Sequence, residues 1–155
     1  MATITTNYPP VAFSFSVRIS TGSDSTDSSW QEVSGLSAEM RTEDLIAGGE
    51  NSFIYKLPVG TSYVPLVLKR GSPLARGSSL ITWINNSILN FTIVPSTVTI
   101  ILLGPNNTPL MKWDFKNAYP VKWSFSELKS MENSIMIESL ELVHQGSQGL
   151  SFGTT

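Results

Sequence analysis

Between residues 110 and 124 the chain reads LMKWDFKNAYPVKWS. Met111, Trp113 and Phe115 alternate with Lys112, Asp114 and Lys116, the period-two pattern of a half-buried strand. Trp113 and Trp123 bracket an aromatic-rich corner. Tyr119 and Pro120 are expected to end the strand there, and Val121 to start a new extended piece. Trp113 and Phe115 are expected in the core. No nucleophile, metal cluster or phosphate loop accompanies this segment. The densest part of the chain is therefore built for packing and assembly, and its function is to be sought there.

The rest of the chain repeats the same grammar. Val11, Phe13, Phe15, Val17 and Ile19 alternate with small and polar residues, which predicts a strand over 11–20 after the Pro9-Pro10 break. Residues 21–29, TGSDSTDSS, read as a mobile polar loop. A second extended region over 30–40 is interrupted by Gly35, which predicts a bulge or a close backbone approach. Residues 41–51 look like a long excursion outside the core. Phe53, Tyr55 and Leu57 predict a third strand stopped by Pro58. Val64, Leu66 and Leu68 predict a fourth, with Pro65 at its end or edge. Residues 97–103 are a β-branched strand, and Gly104 to Asn107 turn it into the next one as a hairpin. The last strand, 135–144, changes its apolar phase from odd to even, which predicts a bulge near Glu138 and Ser139. The tail QGSQGLSFGTT reads as loose.

Only one stretch has helical period. Ser78 or Ser79 can cap it, and Leu80, Trp83, Ile84 and Ile88 then share a face. The reading is mainly β: a small β-barrel or sandwich of about seven or eight strands with one α-helix over about 79–90. It is a single domain over 1–155, with a core of about 8–145 and a flexible tail over 146–155.

Composition narrows the function classes. Charged residues are 14% of the chain against the usual ~25%, which on composition alone reads more readily as a Ser/Thr-rich exterior than as a surface that meets other subunits. Net charge is −2, which gives no field for nucleic acid. There is no cysteine, so disulfides and thiolate chemistry are out. No apolar run is long enough to anchor the chain in a membrane. MATITTNYPP carries no signal-peptide pattern, so the expectation is cytoplasmic synthesis. His144, the single histidine, stands beside the loose tail and reads as a surface residue. Metal binding and a hydrolase triad lack ligands and a base, and no cofactor is implied. Glu39, Glu43 and Asp44, like Glu138 and Glu141, read as solvated faces and not as a glycosidase pair. Trp30, Trp83, Trp113 and Trp123 raise the alternative of a carbohydrate-binding β-sandwich.

In order along the chain stand EVSGLS (32–37), AGGEN (47–51), KLPV (56–59), LVLKRG (66–71), LITWIN (80–85), PLMKWDFKNAYPVKWS (109–124) and IESLELVHQ (137–145). This set resembles the tail tube proteins of contractile phage tails and phage-tail-like extracellular injection systems. Type VI secretion tube proteins are more distant relatives on the same plan. The resemblance implies a structural protein and not an enzyme. It implies six-membered rings that stack into a hollow inner tube, with neighbouring strands joined around the lumen. The implied partners are other copies of the chain, sheath, baseplate and spike proteins, and cargo in the lumen. The subunit is either the repeating tube protein or a tube-initiating ring at the baseplate, and the opening YPPVAF (8–13) together with AGGEN, KLPV and LVLKRG leans towards the initiator. Residues 21–29 and the tail beyond 145 depart from the family pattern. The implied contact residues are Glu43, Asp44, Gly48, Gly49 and Glu50 on the excursion, and Lys112, Asp114 and Lys116 on the outward face of the tryptophan strand.

Overall fold

A computed structural model describes residues 14–21, 24–28, 30–49, 52–71, 78–127, 131 and 135–152. Glu50 and the expected strand start at Val11 lie outside them. The strands are β1 (Ser14–Thr21), β2 (Asp24–Ser28), β3 (Glu32–Ser34), β4 (Ala38–Leu45), β5 (Tyr55–Tyr63), β6 (Leu66–Gly71), β7 (Ser96–Leu103), β8 (Pro109–Phe125), β9 (Ile137–Val143) and β10 (Ser147–Phe152). Among the described residues one α-helix, α1, spans Ser79–Ile88, and a 3-10 turn spans Pro105–Asn107. The main sheet runs β2-β1-β7-β8-β9-β6-β3, with β10 also paired to β8. Its two end strands do not pair with each other, so the fold is an open, sandwich-like one and not a closed barrel. β4 and β5 form a separate two-stranded sheet.

β8 organises the body. Its first half pairs with β7 on one side and β10 on the other, and its second half pairs with β9. The strand does not end at Tyr119-Pro120 but runs unbroken for 17 residues. The corner lies earlier, at Asn117, whose φ is +52°. Asparagine tolerates this left-handed geometry better than most residues, and its Nδ2 donates to Gln145 Oε1 across the pair at 2.8 Å. Pro120 is accommodated beside a register shift between Pro120 and Lys122. Such a shift re-aims the strand and relieves the ladder of one donor. Phe115 is buried and Trp113 packs against the core, as the alternation requires.

The core is filled by Val17, Ile19, Leu66, Leu68, Val98, Ile100, Leu140 and Leu142 from the strands and Leu80, Trp83 and Ile84 from α1. Ser78 caps the helix, its Oγ accepting from the Ile81 amide at 3.3 Å. The Trp83 indole donates to Val94 O at 2.8 Å and ties the chain leaving the helix back onto it. Gly35 is a close approach: its φ is +88°, and a Cβ there would lie 2.1 Å from Pro65 O.

Four expectations are corrected. Pro58 does not stop a strand, because β5 continues to Tyr63. The ladder absorbs the proline by a register shift between Arg41 and Thr42 on the facing strand. Residues 24–28 are not loop but strand β2, paired along β1. Residues 147–152 are not a loose tail but strand β10. No bulge lies at Glu138-Ser139: β9 keeps regular register with β6 throughout. Its phase is simply even, with Ile135 and Ile137 exposed and Glu138, Leu140 and Leu142 inside.

Candidate assembly surface

The β4–β5 hairpin has no core of its own. β4 is exposed at every residue, and β5 at all but Gly60 and Ser62. Yet it is rich in large apolar side chains. Met40, Leu45, Phe53, Ile54, Leu57 and Val59 are exposed, and Ile46 near the tip is 80% accessible. By register Leu45 lies opposite Tyr55 and Glu43 opposite Leu57, so Leu45, Tyr55 and Leu57 share a face. A lone two-stranded ribbon is marginal in water. What holds it here is the backbone ladder, the Phe53–Tyr55 edge contact at 4.8 Å and the Asp44–Lys56 pair at 2.8 Å. Exposed ion pairs of that kind contribute at most about 1 kcal/mol. Large contiguous apolar patches on soluble proteins are characteristic of interaction surfaces.

The structure places Glu43 and Asp44 on β4 and Gly48 and Gly49 at the hairpin tip, all exposed. They are brought together on one element, as the excursion reading expects. Lys112, Asp114 and Lys116 lie on β8, on the body. Lys112 and Lys116 are exposed and Asp114 is half-buried. Lys112 Nζ pairs with Asp114 Oδ2 at 2.9 Å, and Thr99 Oγ1 donates to Asp114 Oδ1 at 2.7 Å. Burial pushes the Asp114 carboxyl up, but the Thr99 hydrogen bond and Lys112 outweigh it and hold it below the ordinary carboxylate range.

Two features were missed in the sequence. Glu138 is not solvated but 2% exposed. Its Oε2 accepts from Arg70 Nε and its Oε1 from Trp123 Nε1, each at 2.7 Å. Arg70 stands opposite Glu138 in the β6–β9 register and stacks over Trp30, 4.6 Å from the ring centroid. This is a buried ion pair that ties the adjacent strands β6 and β9 together. His144 is likewise not on the surface but 8% exposed, between Tyr63 and Phe115. The tryptophans form no sugar platform: Trp30 and Trp83 are buried, and Trp113 and Trp123 pack against the core. No helix among the described residues is long and apolar enough to cross a membrane.

The profile of the family described as T4-like virus tail tube protein gp19 matches residues 11–148. Among solved structures, a chain of the anti-feeding prophage (AFP) baseplate, six-fold symmetrised, is 27% identical with a TM-score of 0.84, covering 91% of this chain and 95% of that one. A chain of the PVC extracellular contractile injection system, in its extended sheath–tube complex, is 24% identical with a TM-score of 0.76, covering 92% of each. Hcp1 from Flavobacterium johnsoniae shares the fold at 16% identity and a TM-score of 0.55, covering 84% of this chain and 89% of that one. No curated protein matches at a level that supports a relationship.

Proposed function

The chain belongs to the family of T4-like virus tail tube proteins, and from that premise we propose that it is a ring-forming structural subunit of the inner tube of a contractile injection system. Six copies close into a ring, rings stack into a hollow tube, and sheath and baseplate proteins surround it. Energy for injection comes from the sheath, so the tube subunit needs no catalytic residues.

The observation that carries this reading is the β4–β5 hairpin, whose apolar residues have nothing to cover them within one copy. A second copy supplies the missing cover. A head-to-tail contact of hairpin on neighbouring body is heterologous, and such contacts close into rings when the rotation fits. The stronger likeness to the baseplate chain than to the sheath–tube chain supports a tube-initiating ring over the repeating subunit.

Negative-stain microscopy of the purified chain tests the proposal. Six-fold rings or tubes are the expected images. Uniform small particles at every concentration, also in the presence of the cognate baseplate protein, would sink it.

A further inference from the structure

The root of the hairpin meets the body at Tyr63 and Val64. Tyr63 ends β5, Val64 follows it, and both meet His144 at the joint between β9 and β10. His144 Nδ1 accepts from the Gly146 amide at 3.1 Å. An amide N–H only donates, so Nδ1 carries a lone pair and the ring proton sits on Nε2. Nε2 in turn faces Val64 O at 3.1 Å, an acceptor. The two contacts together fix the neutral ring in one tautomer. Phe115 packs edge-on against the ring with centroids 4.7 Å apart, and Tyr63 tilts against it at 5.6 Å. Gly146 has φ +114°, and the space a Cβ would take there is filled by the Tyr63 ring, 2.7 Å away. Tyr63, His144 and Gly146 thus form one interlocked knot.

We propose that His144 is an acid-sensitive latch, closed when its ring is neutral, that fastens the root of the β4–β5 hairpin to the β9–β10 joint. Protonation places a hydrogen on Nδ1, directly against the Gly146 N–H. Two donors then oppose each other at hydrogen-bond distance, and the knot opens. The groups packed on the ring are Tyr63 from β5, Val64 from the β5–β6 link, Phe115 from β8 and Gly146 before β10. None of them carries a negative charge that would stabilise the imidazolium. Burial lowers the His144 pKa below the ordinary 6.5, against a smaller opposing effect of the Val64 carbonyl. The sign follows: an unfolded or released histidine takes up its proton first as pH falls, so the latch is intact above about 6.5 and is lost as pH drops through the lower native value. Of the two elements it joins, the hairpin is exposed along nearly all its length, and β10 is paired with β8. Acid therefore loosens the hairpin before it unfolds the body. The consequence for ring assembly rests on the proposed function above, but the latch itself does not.

Nitrogen-15 NMR of the imidazole tests it on the full chain, because the single histidine gives an unambiguous signal. The expected result is the Nε2–H tautomer at pH 7.5 and a midpoint below 6.5. Hydrogen exchange at the Tyr63, Val64 and Gly146 amides is expected to rise beyond its intrinsic pH dependence with that same midpoint. The closed-to-open ratio falls by at most about tenfold per pH unit between 6.5 and that midpoint. His144→Asn keeps an acceptor for Gly146 and does not titrate, so its root amides are expected to show no acid step. An Nδ1–H tautomer, a midpoint at or above 6.5, root amides indifferent to the titration, or an acid step retained in His144→Asn would each overturn the latch.

Discussion

β9 and β4 are of nearly equal length, seven and eight residues, and meet opposite fates. β9 is paired on both sides and sends Glu138, Leu140 and Leu142 into the body. β4 has one partner, β5, and turns no residue away from solvent. β9 carries Leu140 and Leu142 at strand spacing, and β4 carries Ala38 and Met40. The difference is that β9 has a second layer to face and β4 has none within the chain. Alternation in a sequence identifies a strand, but the surface that completes it can belong to another molecule. The body stores stability, and the hairpin stores unspent contact area.

The largest expected effect lies on the body side. Glu138→Ala strands Arg70 beneath Trp30 without its partner and removes the acceptor of Trp123. Loss of one member of a buried pair costs about 3–5 kcal/mol, and urea unfolding of the monomer is expected to show it. A change below about 1 kcal/mol would mean that the pair is not buried in solution.

The hairpin side is expected to behave in reverse. Ile54→Ser with Leu57→Ser removes two exposed apolar side chains. Monomer stability should stay within about 0.5 kcal/mol, while association weakens by about 2 kcal/mol or more if these residues are anchors. Equal losses in both measurements would erase the distinction between the two regions. A smaller test concerns α1: Ser78→Ala deletes the cap on the Ile81 amide and is expected to cost about 1 kcal/mol of thermal stability and leave assembly untouched.

The smallest effect is expected on β8. Reversing Lys112 and Lys116 to Glu should weaken association with monomer stability nearly unchanged at neutral pH, since exposed pairs contribute about 0–1 kcal/mol. The same change has an acid signature. Thr99 and Lys112 hold the Asp114 carboxyl low, so its contribution is present above the ordinary 3.8 and lost as pH falls through the lower native value. In the reversed variant that low-pH loss should shrink, which acid titration of circular dichroism can follow. Unaltered association would make this face a merely solvated one.

Much of the body was legible in the chain. Met111, Trp113 and Phe115 announced β8, Ser78 and the Leu80, Trp83, Ile84 spacing announced α1, and Gly35 announced its close approach. What escaped depended on distant partners. The corner belongs to Asn117 because a left-handed residue and its bond to Gln145 set it, not the proline that catches the eye. The phase of β9 was misread because Glu138 fills an inward slot that Arg70, 68 positions away, and Trp123 make tenable. His144 looked exposed because its Val64 contact spans 80 positions. The excursion was visible as an element outside the core. That Gly48, Gly49, Glu43 and Asp44 meet a neighbour remains the proposal, supported by the uncovered apolar residues around them.

The central claim is that the hairpin is covered by another copy. The chain has no cysteine, so a single Ile46→Cys substitution at the exposed end of the hairpin can be labelled alone. Its reaction rate with a maleimide should be fast in the dilute monomer and fall at least about tenfold in particles of the expected six-subunit mass, as burial in a well-packed interface requires. Equal rates in monomer and assembled particle would show the hairpin still open to water, and would contradict the account.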